Sequence, residues 1–299
     1  MHPRAPEPVV REFDLGNGAT RLYVRDTGHG PPMFVVHGGP DFNHAYLLPE
    51  MDRLADSFRL VYYDQRGRGR SFGGPLDYDV TIESEIADLD RVREWSGFGS
   101  VGLLGHSWGA LLAMEYAIRH PHRVSNLILM NSAPASRVDA LTLRDELKSN
   151  RSSRQIEQMS ALRADLGFLA GNVETEAEYY RIHYGTTLRN PDQLDELVGR
   201  FRSDFTAEGI VVARAIEDRL YEQTWSRDGY DLIPALHQLE IATLIIHGDR
   251  DLVPLSLARH LADAIPGARL IVLENCGHFA YLEKPEQVSR SITSFVTPE

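Results

Sequence analysis

A chain of 299 residues with 42% hydrophobic and 25% charged side chains has the make-up of a globular protein with a large core, which excludes a disordered or fibrous chain. Its formal charge of −12 opposes polyanions, so neither nucleic acid nor an anionic membrane is an expected partner, because phosphate affinity needs clustered Lys and Arg. Cys276 is the single cysteine and allows no internal disulfide; the first ten residues carry Pro3, Pro6 and Pro8 instead of an apolar core, and no apolar run nears the ~18 residues of a membrane helix, which together fit a cytoplasmic protein.

The chain opens with a predicted hairpin, in which Asn17-Gly18 separates residues 9–15 from residues 20–26, Asn-Gly being the preferred dipeptide of a tight two-strand turn. A second turn signal follows at Gly28-His29-Gly30-Pro31-Pro32. Short continuous apolar runs then appear at 33–36, 60–63, 101–104, 127–130, 243–246 and 270–273. Such runs predict strands buried on both faces, the condition of a parallel sheet covered by helices. Helical periodicity marks 81–95, 110–119, 256–265 and 285–295 between and after them. Alternating strand and helix predicts an α/β domain with a mostly parallel sheet. From 135 to 235 the alternation stops and helix formers rich in Asp, Glu and Arg take over, with Pro134 and Pro234 near the edges. The predicted organisation is a core domain of residues 1–134 and 236–299, with residues 135–235 inserted as a helical cap.

The strongest chemical signal is Gly105-His106-Ser107-Trp108-Gly109, between a predicted strand and a predicted helix. It matches G-x-S-x-G, whose small flanking residues permit a sharp turn that exposes the serine at a helix N-terminus. A serine hydroxyl is a weak nucleophile and needs a base oriented by an acid. His278 follows the last strand-like run in a loop, whereas His247 lies at a strand end and His260 within a predicted helix. Two aspartates follow the strand at 243–246; Asp251 is taken as the orienting acid and Asp249 as a turn residue bonding its own backbone. Oxyanion donors are expected from the backbone N–H groups of Gly39, in His37-Gly38-Gly39-Pro40, and of Trp108. Cys276 has no motif of its own and reads as a small buried filler, and no His and carboxylate spacing or Gly-rich fingerprint implies a metal or another cofactor.

With these segments in place, the chain resembles the α/β-hydrolase superfamily over nearly its whole length, and within it the proline iminopeptidase-like serine peptidases. The likeness rests on His37-Gly38-Gly39-Pro40, Asp64-Gln65-Arg66-Gly67-Arg68-Gly69-Arg70-Ser71, Gly105-His106-Ser107-Trp108-Gly109, Gly248-Asp249-Arg250-Asp251 and Gly277-His278. It implies an eight-stranded sheet with a helical cap, and places the triad on Ser107, Asp251 and His278. It also gives 66–70, the one basic knot, a supporting role beside the site. The segment Ala213-Arg214-Ala215-Ile216-Glu217-Asp218 looks like the cap segment whose glutamate holds a peptide's free amino end, which makes Glu217 a candidate for that role and Glu222 a second one. A departure from the group is Asp41, which stands where glycine is usual; it is read either as a partner for a substrate ammonium or as a cap for the helix that follows.

The resulting expectation is a serine hydrolase working through an acyl-enzyme on small molecules or short peptides, an aminopeptidase releasing an N-terminal residue, proline preferred. A carboxylesterase or a carbon–carbon bond hydrolase is the alternative, since one triad serves all three. A non-catalytic receptor on the same fold is the alternative of another class.

Overall fold

The computed structural model describes residues 10–16, 21–73, 80–188 and 190–297. β1 (Arg11–Asp14) pairs antiparallel with β2 (Tyr23–Gly28), and the ladder extends through Leu15 and Leu22. The hairpin expected around Asn17-Gly18 is therefore present as a strand pair, while the turn itself lies outside the described residues. β3 (Pro32–Val36), β4 (Arg59–Tyr63), β5 (Val101–His106), β6 (Val124–Met130), β7 (Thr243–Gly248) and β8 (Arg269–Leu273) complete one eight-stranded sheet in the order β1-β2-β4-β3-β5-β6-β7-β8. All pairings from β4 onward are parallel, and β2 runs against both of its neighbours.

Alternate residues of each strand enter opposite cores. Phe34, Val36, Leu103, Leu127, Leu129 and Ile245 pack on one face with α1 (Ile82–Ser96) and α2 (Trp108–Arg119). Met33, Val35, Leu104, Ile128, Met130, Leu244 and Ile246 pack on the other. Burying one such side chain contributes about 1.5–3 kcal/mol, which is why these runs are apolar on both faces. β8 departs from that expectation: it is an edge strand, Val272 is 37% exposed, and only Leu273 is buried. The helices start where local chemistry dictates. The Thr81 hydroxyl accepts from Ser84 N and the Ser84 hydroxyl accepts from Thr81 N, a reciprocal cap that opens α1.

Between β6 and β7 the chain forms α3 (Arg137–Ser149), α4 (Ser153–Ala164), α5 (Leu166–Leu169), α6 (Val173–Tyr184), α7 (Asp192–Phe201), α8 (Ala207–Gln223) and α9 (Ile233–Leu236), with no strand of the sheet among the described residues. Its two ends meet, since Leu232 N donates to Ala135 O at 3.0 Å and Arg137 N to Tyr230 O at 2.9 Å. Tyr180, Tyr184, Leu197 and Phe201 of this segment join the second core. α10 (Leu255–Ala264), α11 (Ala280–Glu283) and α12 (Pro285–Val296) follow. Among the described residues no helix is long and apolar enough to cross a membrane.

Candidate functional site

Three loops at the carboxyl ends of β5, β7 and β8 carry the site, the edge at which open α/β sheets bind ligands. Ser107 sits between β5 and α2 with φ 55° and ψ −121°, a strained backbone for a residue with a side chain. The strain is held by packing: a Cβ on Gly105 would lie 2.3 Å from Gly109 O, and one on Gly109 would lie 2.1 Å from Val36 O. Only hydrogen fits at either place, so the helix starts hard against the strand.

His278 brings Nε2 to 3.1 Å from Ser107 Oγ, and its Nδ1–H donates to Asp251 Oδ1 at 2.7 Å. The three side chains expected from the sequence thus meet in one hydrogen-bonded line. Asp251 is further held by Val253 N, which donates to Oδ1 at 2.9 Å, and by Asn131 Nδ2, which donates to Oδ2 at 2.7 Å. Burial works to raise its pKa, but the imidazoles of His278 and His247 and these hydrogen bonds outweigh it and hold the carboxyl well below the usual range. Asn131 was not singled out from the sequence; the available signal was its place directly after β6, at the ligand-binding edge. It adopts φ 47°, which asparagine tolerates, and its Nδ2 also donates to Gly277 O at 3.1 Å.

The other two histidines considered for the base lie elsewhere. His247 stands behind the acid, with Nδ1 3.6 Å from Asp251 Oδ2 and Nε2 donating to Val253 O, and His260 pairs with Asp139 at 3.0 Å. Asp249 does not bond its own turn. Its Oδ1 accepts from Cys276 N at 3.2 Å and ties the acid loop to the base loop. Cys276 is fully buried, and burial raises its thiol pKa, as suits a filler.

The Gly38-Gly39 turn packs beside the nucleophile. Gly38 N donates to the Tyr46 hydroxyl at 2.8 Å, which leaves it unavailable to a substrate. The N–H groups of Gly39 and Trp108 have no acceptor in the protein among the described residues. Tyr46 in turn donates to His106 Nδ1 at 2.7 Å, and His106 Nε2–H donates to His278 O at 2.9 Å. Burial, aided by the neighbouring His278, pushes His106 down to about 3. A neutral ring therefore links the glycine turn to the backbone of the base. The basic knot and the residue before it brace the same turn: Arg68 Nε donates to Pro40 O at 2.9 Å and Gln65 Nε2 to His37 O at 2.8 Å. Its charges are spent inside the protein, Arg66 on Asp88, Arg68 on Glu85 and Arg70 on Glu12.

A cavity of about 780 Å³ opens over Ser107 and His278, walled by α3, α4, α6 and α8. The Tyr184 ring stacks on His278 with centroids 6.3 Å apart and planes 8° apart. Glu217 is half-buried in the wall and accepts from the Tyr221 hydroxyl at 2.7 Å. Burial, together with the charge of Asp41, pushes it up to about 8. No cation lies within salt-bridge distance of it among the described residues. Asp41 also lines the cavity, but neither reading made from the sequence holds as such. Its Oδ2 is bound by Arg202 and accepts from the Tyr180 hydroxyl at 2.8 Å, and the helical turn that follows is capped by Asn43. Burial works to raise the Asp41 pKa, yet Arg202 and Tyr180 prevail and lower it. Glu222 is exposed and outside the cavity. Five residues on from Glu217, it is turned about 140° round the helix. Among the described residues no cluster of three or more His, Cys, Asp or Glu could hold a metal ion.

A family model described as alpha/beta hydrolase fold matches residues 31–285. The proline iminopeptidase of Lactobacillus crispatus is 28% identical over 276 residues, covering 86% of this chain and 86% of the relative. Among solved structures, the proline iminopeptidase of Mycobacterium smegmatis superposes with a TM-score of 0.69 at 22% identity, covering 96% of this chain and 97% of the other. The 2-hydroxy-6-oxo-6-phenylhexa-2,4-dienoate hydrolase of a Rhodococcus species does so at 0.72 with 21% identity, covering 96% and 99%.

Proposed function

Since the chain belongs to the α/β-hydrolase fold family and is proline iminopeptidase-like, we propose that it is a serine aminopeptidase that releases an N-terminal residue, proline preferred, through an acyl-enzyme on Ser107. His278 Nε2 takes the hydroxyl proton as Oγ attacks the carbonyl carbon, and Asp251 keeps Nδ1 protonated and the ring aligned. The tetrahedral oxyanion is received by the N–H groups of Gly39 and Trp108 at the head of α2, where the helix dipole favours negative charge. Collapse breaks the C–N bond and the departing amine takes the proton from His278. Water then gives a proton to the same nitrogen as its oxygen attacks the acyl carbon; the C–Oγ bond breaks, Ser107 Oγ takes that proton back, and the acid leaves. Residues 135–235 act as a cap over the core domain of residues 1–134 and 236–299, and the Tyr184 ring on His278 shields the base from bulk water.

The observation that carries the peptidase reading is Glu217, a carboxyl group in the same cavity as Ser107 with a tyrosine and no cation as its partner. A carboxylate partly withdrawn from water seeks a positive charge, which a substrate's ammonium supplies. Asp41 shapes this field through Arg202 instead of touching the ammonium itself. Kinetics with proline arylamide beside p-nitrophenyl acetate and butyrate test the reading. Arylamide hydrolysis, with the arylamide-to-ester ratio falling at least tenfold in Glu217→Gln, is expected; ester turnover without amide turnover would leave a carboxylesterase.

A further inference from the structure

The same cavity has a second charged wall, opposite in sign to Glu217. Arg151 and Arg163 line it, from the start and end of the α4 region. Other arginines at this cavity have anionic neighbours: Arg137 lies 3.3 Å from Asp228, and Arg144 lies 3.6 Å from Asp145. Among the described residues, neither Arg151 nor Arg163 is ion-paired with a carboxylate. Arg151 is half-buried, and its Nη2 lies 3.0 Å from His183 Nδ1; Arg163, more open, donates from Nη2 to the Tyr179 hydroxyl at 2.6 Å.

Tyr179 and His183 are four residues apart on α6 and share one face of it, with ring centroids 6.0 Å apart. Their two arginines are therefore held side by side by neutral partners. Burial pushes His183 down to about 3, so it offers Arg151 a lone pair and no compensating charge. Burial also lowers Arg151 itself, whereas Arg163 is raised against burial by Tyr179 and by the charge of Glu217, which lies beyond salt-bridge distance. Each guanidinium has five N–H donors in a planar fork matched to a carboxylate, and most of them are unspent here. The place is close to the chemistry: the His183 ring lies 4.5 Å from Tyr184, which stacks on His278.

We propose that Arg151 and Arg163 bind the C-terminal carboxylate of a short peptide whose amino end faces Glu217. The inference rests on the aminopeptidase reading and gives it a substrate class, zwitterionic di- and tripeptides. An extended chain advances about 3.3–3.6 Å per residue, so a carboxylate one or two residues beyond the scissile bond can reach a wall one aromatic ring from the base. Longer peptides place a neutral amide there.

The test compares kcat/KM for Pro-Ala with Pro-Ala amide, in the wild type and in R151M/R163M, which keeps the unbranched stems. A charge-assisted contact corresponds to about ten- to hundredfold. The wild type should favour the free acid at least tenfold, and the variant, shown folded by its melting curve, should bring the ratio within twofold of unity. R151K/R163K, which keeps the charge and loses the fork, should retain part of the preference. Equal wild-type turnover of acid and amide, or an unchanged ratio in R151M/R163M, would overturn the carboxylate site. If proline arylamide is not cleaved either, the aminopeptidase reading fails instead. The anion site is then read from p-nitrophenyl hemiglutarate against p-nitrophenyl butyrate: a preference for the former, lost in R151M/R163M, retains it, and no preference overturns it.

Discussion

Replacing Arg202 with methionine would probe the charge network that stands between the cavity and the core. Arg202 and its partners Asp41 and Glu176 are all nearly inaccessible, and its guanidinium binds Asp41 and, at 2.8 Å, Glu176. Removing one member of a buried pair costs about 3–5 kcal/mol, because the remaining charge has lost its compensation. Here the lower end applies, since Glu176 keeps Arg214 at 2.7 Å and Asp41 keeps the Tyr180 hydroxyl at 2.8 Å. About 3 kcal/mol in a chain of 299 residues is about 5 °C in Tm. The assay is a double-mutant cycle by thermal or urea melting on R202M, D41N and R202M/D41N. Because D41N removes the charge that R202M strands, the double variant should be more stable than the sum of the singles by about 2 kcal/mol. Additivity within about 0.5 kcal/mol would mean that Arg202 does not neutralise Asp41 and that Asp41 is free to serve a substrate.

Glu217, pushed up to about 8 from an ordinary value of 4.5, sets two further expectations. The free enzyme gains the carboxylate only near that pH, so kcat/KM for a proline arylamide, divided by that for a neutral ester, should rise about tenfold per pH unit below it and be flat in E217Q. Between 4.5 and 8 the native state retains a proton that the unfolded state has released, so stability falls as pH rises through that window. The Tm advantage of E217Q over wild type should therefore widen from pH 5 to pH 8 and then level; a constant gap would show that the group is not perturbed. D41N removes the neighbouring charge that helps raise Glu217, and should move the arylamide limb to lower pH. For Asn131, N131G keeps the left-handed backbone and deletes the amide that holds Asp251, so kcat/KM should drop about 10- to 100-fold, with N131A less stable than N131G in melting curves; unchanged kcat/KM in N131G would remove Asn131 from the site.

Much of this architecture is legible along the chain because its signals are local. A strand buried on both faces must be continuously apolar, and a strand-to-helix turn that leaves no room for a Cβ two residues to either side of the serine must read G-x-S-x-G. The same logic extends to the helix starts of the inserted segment, where Ser136, Ser152, Asp165, Asn172 and Thr206 each accept a hydrogen bond from the first turn. Those caps were there to be read, although the polar composition of the segment hid its helical period. What stays hidden is pairing at long range. Nothing near Asp41 announces Arg202, 161 positions away, and so a carboxylate already neutralised in the fold looks from the sequence like a free one. Glu222 misleads for the opposite reason, because its helix is legible but the rotation of that helix toward the cavity is set by packing. The run at 270–273 looks doubly buried only because apolarity does not say how many neighbours a strand has.

The most direct measurement is intact-mass analysis after treatment with a fluorophosphonate, followed by peptide mapping. One adduct per chain is expected on Ser107, its formation slowed at least a hundredfold in His278→Ala and absent in Ser107→Ala. A folded wild-type protein that takes up no label, or takes it on another residue, would rule out Ser107 as the nucleophile and favour a binding protein on a hydrolase scaffold.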